Sequence, residues 1–178
     1  MTSDPKKIGV SIDLKPHAYD PAVNPELFDG VPARRLVAFL IDLFILAIPL
    51  IFLSIFLFAI TVVTFGLGFI LYGLMPIIST VWALVYYGMT LGGPRSATIG
   101  MRVMDLEMRT WYGAPAYFVL GAVHAVAFWI SVSVFTPLIL VVCFFNARRR
   151  LLHDMVVGTI VINNEVRASV LRSGQPRM

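Results

Sequence analysis

The stretch RRLVAFLIDLFILAIPLIFLSIFLFAITVV, residues 34–63, opens with two arginines and then carries a single charge, Asp42. The uncharged run on either side of Asp42 reaches from Leu36 to Pro94. About 20 apolar residues suffice to cross a hydrocarbon core of roughly 30 Å, so this run is long enough for two membrane helices. A carboxylate near the middle of a spanning helix costs roughly 2.5 to 3.5 kcal/mol on insertion scales, so such residues face protein or water and need a partner. Arg35 lies seven residues before Asp42, two helical turns away on the same face, and is the nearest candidate.

The rest of the composition agrees with a membrane setting. Of the 178 residues 58% are hydrophobic and 13% charged, and the mean hydropathy is +0.85, well outside the range of soluble globular domains. The net charge of +4 and pI near 9.5 do not indicate nucleic acid, because the basic residues flank apolar segments and form no base-reading motif. They set membrane orientation instead. The single cysteine, Cys143, stands in an apolar stretch, cannot form an intrachain disulfide, and reads as a small buried hydrophobe.

Residues 1–33 are polar and carry Pro5, Pro16, Pro21, Pro25 and Pro32. They contain no apolar core that would make a signal peptide, so they read as a cytoplasmic, partly disordered tail. Thr64-Phe65-Gly66-Leu67-Gly68 is the natural turn between a first helix over about 34–63 and a second over about 69–89. Pro49 removes one backbone donor beside Ile45 and kinks the first helix. Residues 90–115 turn polar, and within them Met104, Leu106 and Met108 alternate with Asp105, Glu107 and Arg109, the period of a half-buried strand. Gly158-Thr159-Ile160-Val161-Ile162, followed by Asn163-Asn164, is a second strand with a turn after it. The two strands are candidates to pair.

A third apolar region, about 116–145, decides the topology. As one straight helix it would place Arg148, Arg149 and Arg150 outside, against the rule that positive loops stay in the cytoplasm. Bent near Ser131, Ser133, Thr136 and Pro137, it returns them to the side of Arg35. The expected fold is therefore an all-α integral membrane protein, a small helical bundle of three spans, or of two spans plus a bent or re-entrant third region, with a short cytoplasmic strand pair. The membrane domain covers 34–164, and 165–178 form a polar tail.

Arg35, Ala38 and Asp42 stand as R-x-x-A-x-x-x-D, Thr98 and Gly100 as T-x-G, and Leu152, His153 and Asp154 precede Gly158 and Thr159. In this order, over about Val31 to Ile162, the chain resembles the RDD family of membrane proteins, named for one arginine and two aspartates. Met101 departs from the pattern, since similar proteins often carry a lysine after the glycine; Arg102 is the neighbouring charge. The resemblance implies a membrane fold, a polar site of Arg35, Asp42 and Asp154 supported by Thr98, Gly100, His153, Gly158 and Thr159, and ion or proton exchange as the suggested activity.

In such a site the guanidinium holds one carboxylate by a forked hydrogen bond while the other titrates. Asp42 lies about 10 Å deeper than Arg35 along the helix, and Asp154 joins them only if the C-terminal segment returns to the same side. Each residue also has a plainer reading. Asp42 is otherwise a packing lock, Arg34 and Arg35 are interface anchors, and Asp154 is a surface partner of Arg150 four residues before it. His124, inside the third apolar region, is either a proton relay or a hydrogen-bonding partner of another helix. His153 orients Asp154 or meets lipid headgroups. No metal is expected, because no second histidine or cysteine stands at ligand spacing. The aromatic residues Trp82, Tyr86, Tyr87, Trp111, Tyr112 and Tyr117 form an interfacial belt. No cofactor motif or nucleophile elbow is present, so an enzyme is not expected.

Two functions remain: a transporter-like protein of a bacterial-type cytoplasmic (inner) membrane, or an accessory or assembly protein whose polar cluster is structural. The expected partners are the lipid bilayer and either further copies of the chain or another membrane protein, with no nucleic acid. Both termini are expected in the cytoplasm.

Overall fold

The structure, a computed structural model, describes residues 18–135, 142, 143 and 145–174. The chain enters through a single turn of 3-10 helix, Pro25–Leu27, and Gly30 in the left-handed region (φ 66°) hands it to α1, Val31–Val63. Pro32 in the first turn of α1 removes only a donor that has no helical partner there. At 33 residues, α1 is about 50 Å long. Pro49 lies inside it without ending it. At the far end three hydroxyl and backbone bonds close the turn: Thr61 Oγ1 donates to the Leu57 carbonyl (2.8 Å), Thr64 Oγ1 to that of Ile60 (2.7 Å), and Gly68 N–H to Thr64 Oγ1 (3.0 Å). The two hydroxyls thus find acceptors, and the Gly68 N–H a partner, within the chain itself.

The second apolar segment is one stretch in sequence but two helices in space, α2 over Phe69–Tyr72 and α3 over Met75–Leu91. The interruption falls at Gly73 and Leu74, just before Pro76, which lacks the N–H that a continuous helix would need. Together Phe69–Leu91 remains long and apolar enough to cross a bilayer, as does Pro25–Val63, by length and composition. A third apolar helix, α5 over Phe118–Phe135, is shorter. It packs along α3, where the Phe118 ring seats against Gly88 and a Cβ on that glycine would stand 2.6 Å from it. The expected bend at Ser131, Ser133, Thr136 and Pro137 falls partly outside the described residues: α5 continues through Ser133, while Thr136 and Pro137 are among the undescribed positions.

The remaining elements gather at one end of these helices. They are α4 (Ile99–Val103), β1 (Leu106–Thr110), α6 (Leu152–Val157), β2 (Thr159–Asn163) and α7 (Glu165–Gly174). The two strands pair antiparallel, with Met108 opposite Val161 and Leu106 opposite Asn163. Leu106 and Met108 are buried, whereas every residue of β2 is. The core lies here, where Val31, Ala38, Leu91, Leu106, Met108 and Val161 pack together. Away from it the helices expose large apolar side chains such as Phe44, Phe52, Phe56 and Phe69. The molecule is thus mostly helical, with two long apolar helices and one small sheet.

Candidate functional site

Two buried carboxylates stand at the junction of the long helices and the small sheet, and each is held differently. Asp42 is 3% exposed. Its Oδ1 accepts from the Tyr86 hydroxyl (2.5 Å) and the Gly100 N–H (2.8 Å), and its Oδ2 from the Thr98 hydroxyl (2.6 Å). Thr98 caps α4 by accepting from Met101 N–H (3.1 Å), and the Tyr86 oxygen accepts from Ile99 N–H (3.3 Å). Every donor around Asp42 is neutral and already engaged. The approach depends on small residues: a Cβ on Gly100 would overlap the Ala38 carbonyl oxygen and come within 2.9 Å of Asp42 Cγ. That close crossing is why the T-x-G motif needs a glycine at position 100.

Arg35 does not turn to Asp42. Side chains on a helix lean toward its N-terminus, which carries Arg35 away from the deeper aspartate and toward α6. There its guanidinium forks onto Asp154, NH1 to Oδ2 at 2.5 Å and NH2 to Oδ1 at 3.1 Å. Asp154 is 0% exposed, and its Oδ2 also accepts the Leu151 N–H at 2.8 Å. Burial alone would raise the Asp154 pKa, but the Arg35 charge overrides it and holds the carboxyl below the usual carboxylate range. His153 is pushed down to about 3, first by burial, with Asp154 pulling it partly back.

Two imidazoles complete this cluster. His153 Nε2 stands 3.3 Å and His124 Nε2 3.7 Å from Asp154 Oδ1. The rings meet edge to face at 4.8 Å, and His153 also packs on Phe128. His124 Nδ1 lies 3.1 Å from Thr159 Oγ1. Gly158 ends α6 in the left-handed region (φ 72°) and so turns the chain from Asp154 into β2, placing Thr159 beside His124. Arg150 is not a surface partner of the Asp154 carboxylate. It is buried, donates to the carbonyls of Asp154 (2.6 Å) and Thr159 (2.9 Å), and lies over the Trp111 ring at 4.5 Å.

One cleft of about 1440 Å³ is walled by Asp42 and by the Asp154 partners Arg35, His124 and His153, together with Phe39 and Phe128. Among the described residues the ligating atoms of His124, His153 and Asp154 lie within 4.8 Å of one another, close enough to hold a metal ion. The second histidine, missing at local spacing, is supplied from α5.

A third polar knot escaped the sequence. Arg34 donates to Asn163 Oδ1 (2.7 Å) and pairs with Asp105 (3.4 Å), while Asn163 Nδ2 donates to the carbonyls of Glu26 (2.8 Å) and Asp29 (2.9 Å). Asn163 is 0% exposed. It reads as turn punctuation in the sequence, and nothing local marks it as the fastening between β2 and the start of α1. Tyr86 was likewise hidden among interfacial aromatics.

A family model described as the RDD family matches residues 30–158. No curated protein and no solved structure matches the chain.

Proposed function

The chain belongs to the RDD family, and on that premise we propose that it is a multi-pass protein of a bacterial-type cytoplasmic membrane, non-enzymatic, whose working site is the Arg35, His124, His153 and Asp154 cluster. There it handles an ion or a proton. The observation that carries this reading is a pair of imidazoles on the wall of a cleft, both directed at one oxygen of the fully buried Asp154 carboxylate. Buried ionisable groups among apolar helices are costly and mark transport or relay sites by default. Asp42, with three neutral donors and, among the described residues, no ion pair, takes the part of a packing lock that positions α4 on α1.

Orientation follows from charge. Arg34, Arg35, Arg102, Arg109 and Arg150 are all engaged at the strand end of the helices, whereas the turn at residues 64–74 has no charged residue. The excess of arginine supports a cytoplasmic position for the strand end and both tails. Few apolar helices enclose little room for a pathway, which supports a transporting form assembled with further copies or with another membrane protein.

The test is flux or pH-jump recording in proteoliposomes. Asp154→Asn abolishes flux, and Asp42→Asn retains it in whatever fraction of the protein stays folded. A second reading, an accessory or assembly protein, is favoured by one observation: the Arg35 fork and the Leu151 N–H leave Asp154 as well answered as Asp42. It predicts that neither form gives flux and that both substitutions act only through stability.

A further inference from the structure

We propose that His124, His153 and Asp154 form a binding site for a divalent transition-metal ion of the zinc, cobalt or nickel type, open to the cleft. This rests on the ion-handling reading and names the class of ion. The three donor atoms come from two elements, α5 and α6, and two of their separations, 3.3 and 3.7 Å, already approach the geometry of a bound ion. With metal to nitrogen and oxygen bonds of about 2.0 to 2.2 Å, ligands around one ion stand roughly 3 to 3.5 Å apart. All three atoms lie within 4.8 Å of one another, so a small rotation of one imidazole closes the remaining edge. Charge-assisted hydrogen bonds between nitrogen and carboxylate settle at about 2.7 to 2.9 Å. Both imidazoles stand farther off than that, at a spacing that suits a cation between them.

The surroundings hold these donors without the ion. Thr159 Oγ1 engages the far nitrogen of His124 at 3.1 Å, and such outer partners fix the tautomer and orientation of a ligating histidine. Arg35 and the Leu151 N–H fix the Asp154 carboxylate. Both histidines border the cleft, which supplies an entry path and room for water as a further ligand. Two imidazoles with one carboxylate select borderline transition metals, whereas sodium, magnesium and calcium sites are built from oxygen. Arg35 already neutralises the carboxylate, so a bound divalent ion leaves the pocket cationic. That weakens binding relative to a structural zinc site and suits an ion that enters and leaves.

The test uses the full chain in detergent, stripped with a chelator and titrated with Co²⁺, then with Zn²⁺ as competitor. The expected result is one Co²⁺ per chain with the visible absorption of nitrogen-ligated cobalt, displaced by Zn²⁺. His124→Gln and His153→Gln each weaken binding by at least about tenfold, and Thr159→Val, which keeps every ligand, weakens it by about 10 to 100-fold. His17→Gln, at the other histidine of the chain, leaves it unchanged. Absence of Co²⁺ binding by the unaltered protein overturns the proposal, as does equal binding by the His124→Gln, His153→Gln double variant. Proton or alkali flux that requires Asp154 in a protein that binds no Co²⁺ overturns the metal site alone; absence of both overturns the ion-handling reading with it.

Discussion

Asp42 and Asp154 are both buried, 3% and 0% exposed, and are embedded in different company. Asp42 is surrounded by two hydroxyls and a backbone N–H, all neutral. Asp154 is gripped by a guanidinium and faced by two imidazoles. Neutral donors spread a buried charge over several dipoles and ask nothing of the distant chain except shape. A guanidinium fixes it by charge, so each partner becomes costly to leave alone. The first arrangement fastens helices, and the second ties the fold to a group that a proton or cation can address.

The comparison breaks first at Asp154. Asp154→Asn leaves the Arg35 guanidinium, only 13% exposed, without its counter-charge and is expected to cost about 3 to 5 kcal/mol, the range for severing a buried pair. Denaturant or thermal unfolding in detergent measures it. Asp42→Asn comes next, at about 2 to 3 kcal/mol, because an amide still accepts from some of the three donors but turns an N–H₂ group toward the rest. If Asp42→Asn proves the more damaging, the two pockets have been assigned the wrong way round.

These energies turn on contacts of long sequence separation, and that separation sets what the sequence could disclose. The strand pair was legible because its signals are local: the alternation through Leu106 and Met108, and the β-branched run Thr159 to Ile162. Observed bounds differ by a residue or two, since Asp105 takes a left-handed turn (φ 52°) before β1 begins. The break at Gly73 and Leu74 carries local marks in Gly73 and Pro76, which the length of the apolar run outweighed in the reading of one helix over 69–89. Arg35 and Asp154 were connected through the family pattern and the charge rule. Tyr86 and Thr98, which lie 44 and 56 residues from Asp42, were not connected with it as a pair, because no periodicity encodes which aromatic turns inward. Asn163 was missed for the same reason, and His124, marked by its place in an apolar region, has no identifiable partner until α5 and β2 are in place.

The smallest expected effect is also the sharpest probe of the neutral pocket. Tyr86→Phe removes one donor from Asp42 and keeps the ring that packs edge to face on Tyr87 at 5.3 Å. The Asp42 carboxylate retains Thr98 and Gly100, and the Ile99 N–H loses its long contact with the phenol oxygen. A hydrogen bond to a charged acceptor is worth about 1.5 to 3 kcal/mol; with two donors left to share the charge, the lower end, about 1.5 kcal/mol, is expected. In the Asp42→Asn background the acceptor is neutral, so the same substitution should cost less than 1 kcal/mol, nearer an ordinary hydrogen bond. A double-mutant cycle on unfolding free energies reads this difference directly. Coupling near zero would mean that Tyr86 contributes packing alone and that Thr98 and Gly100 suffice to hold Asp42.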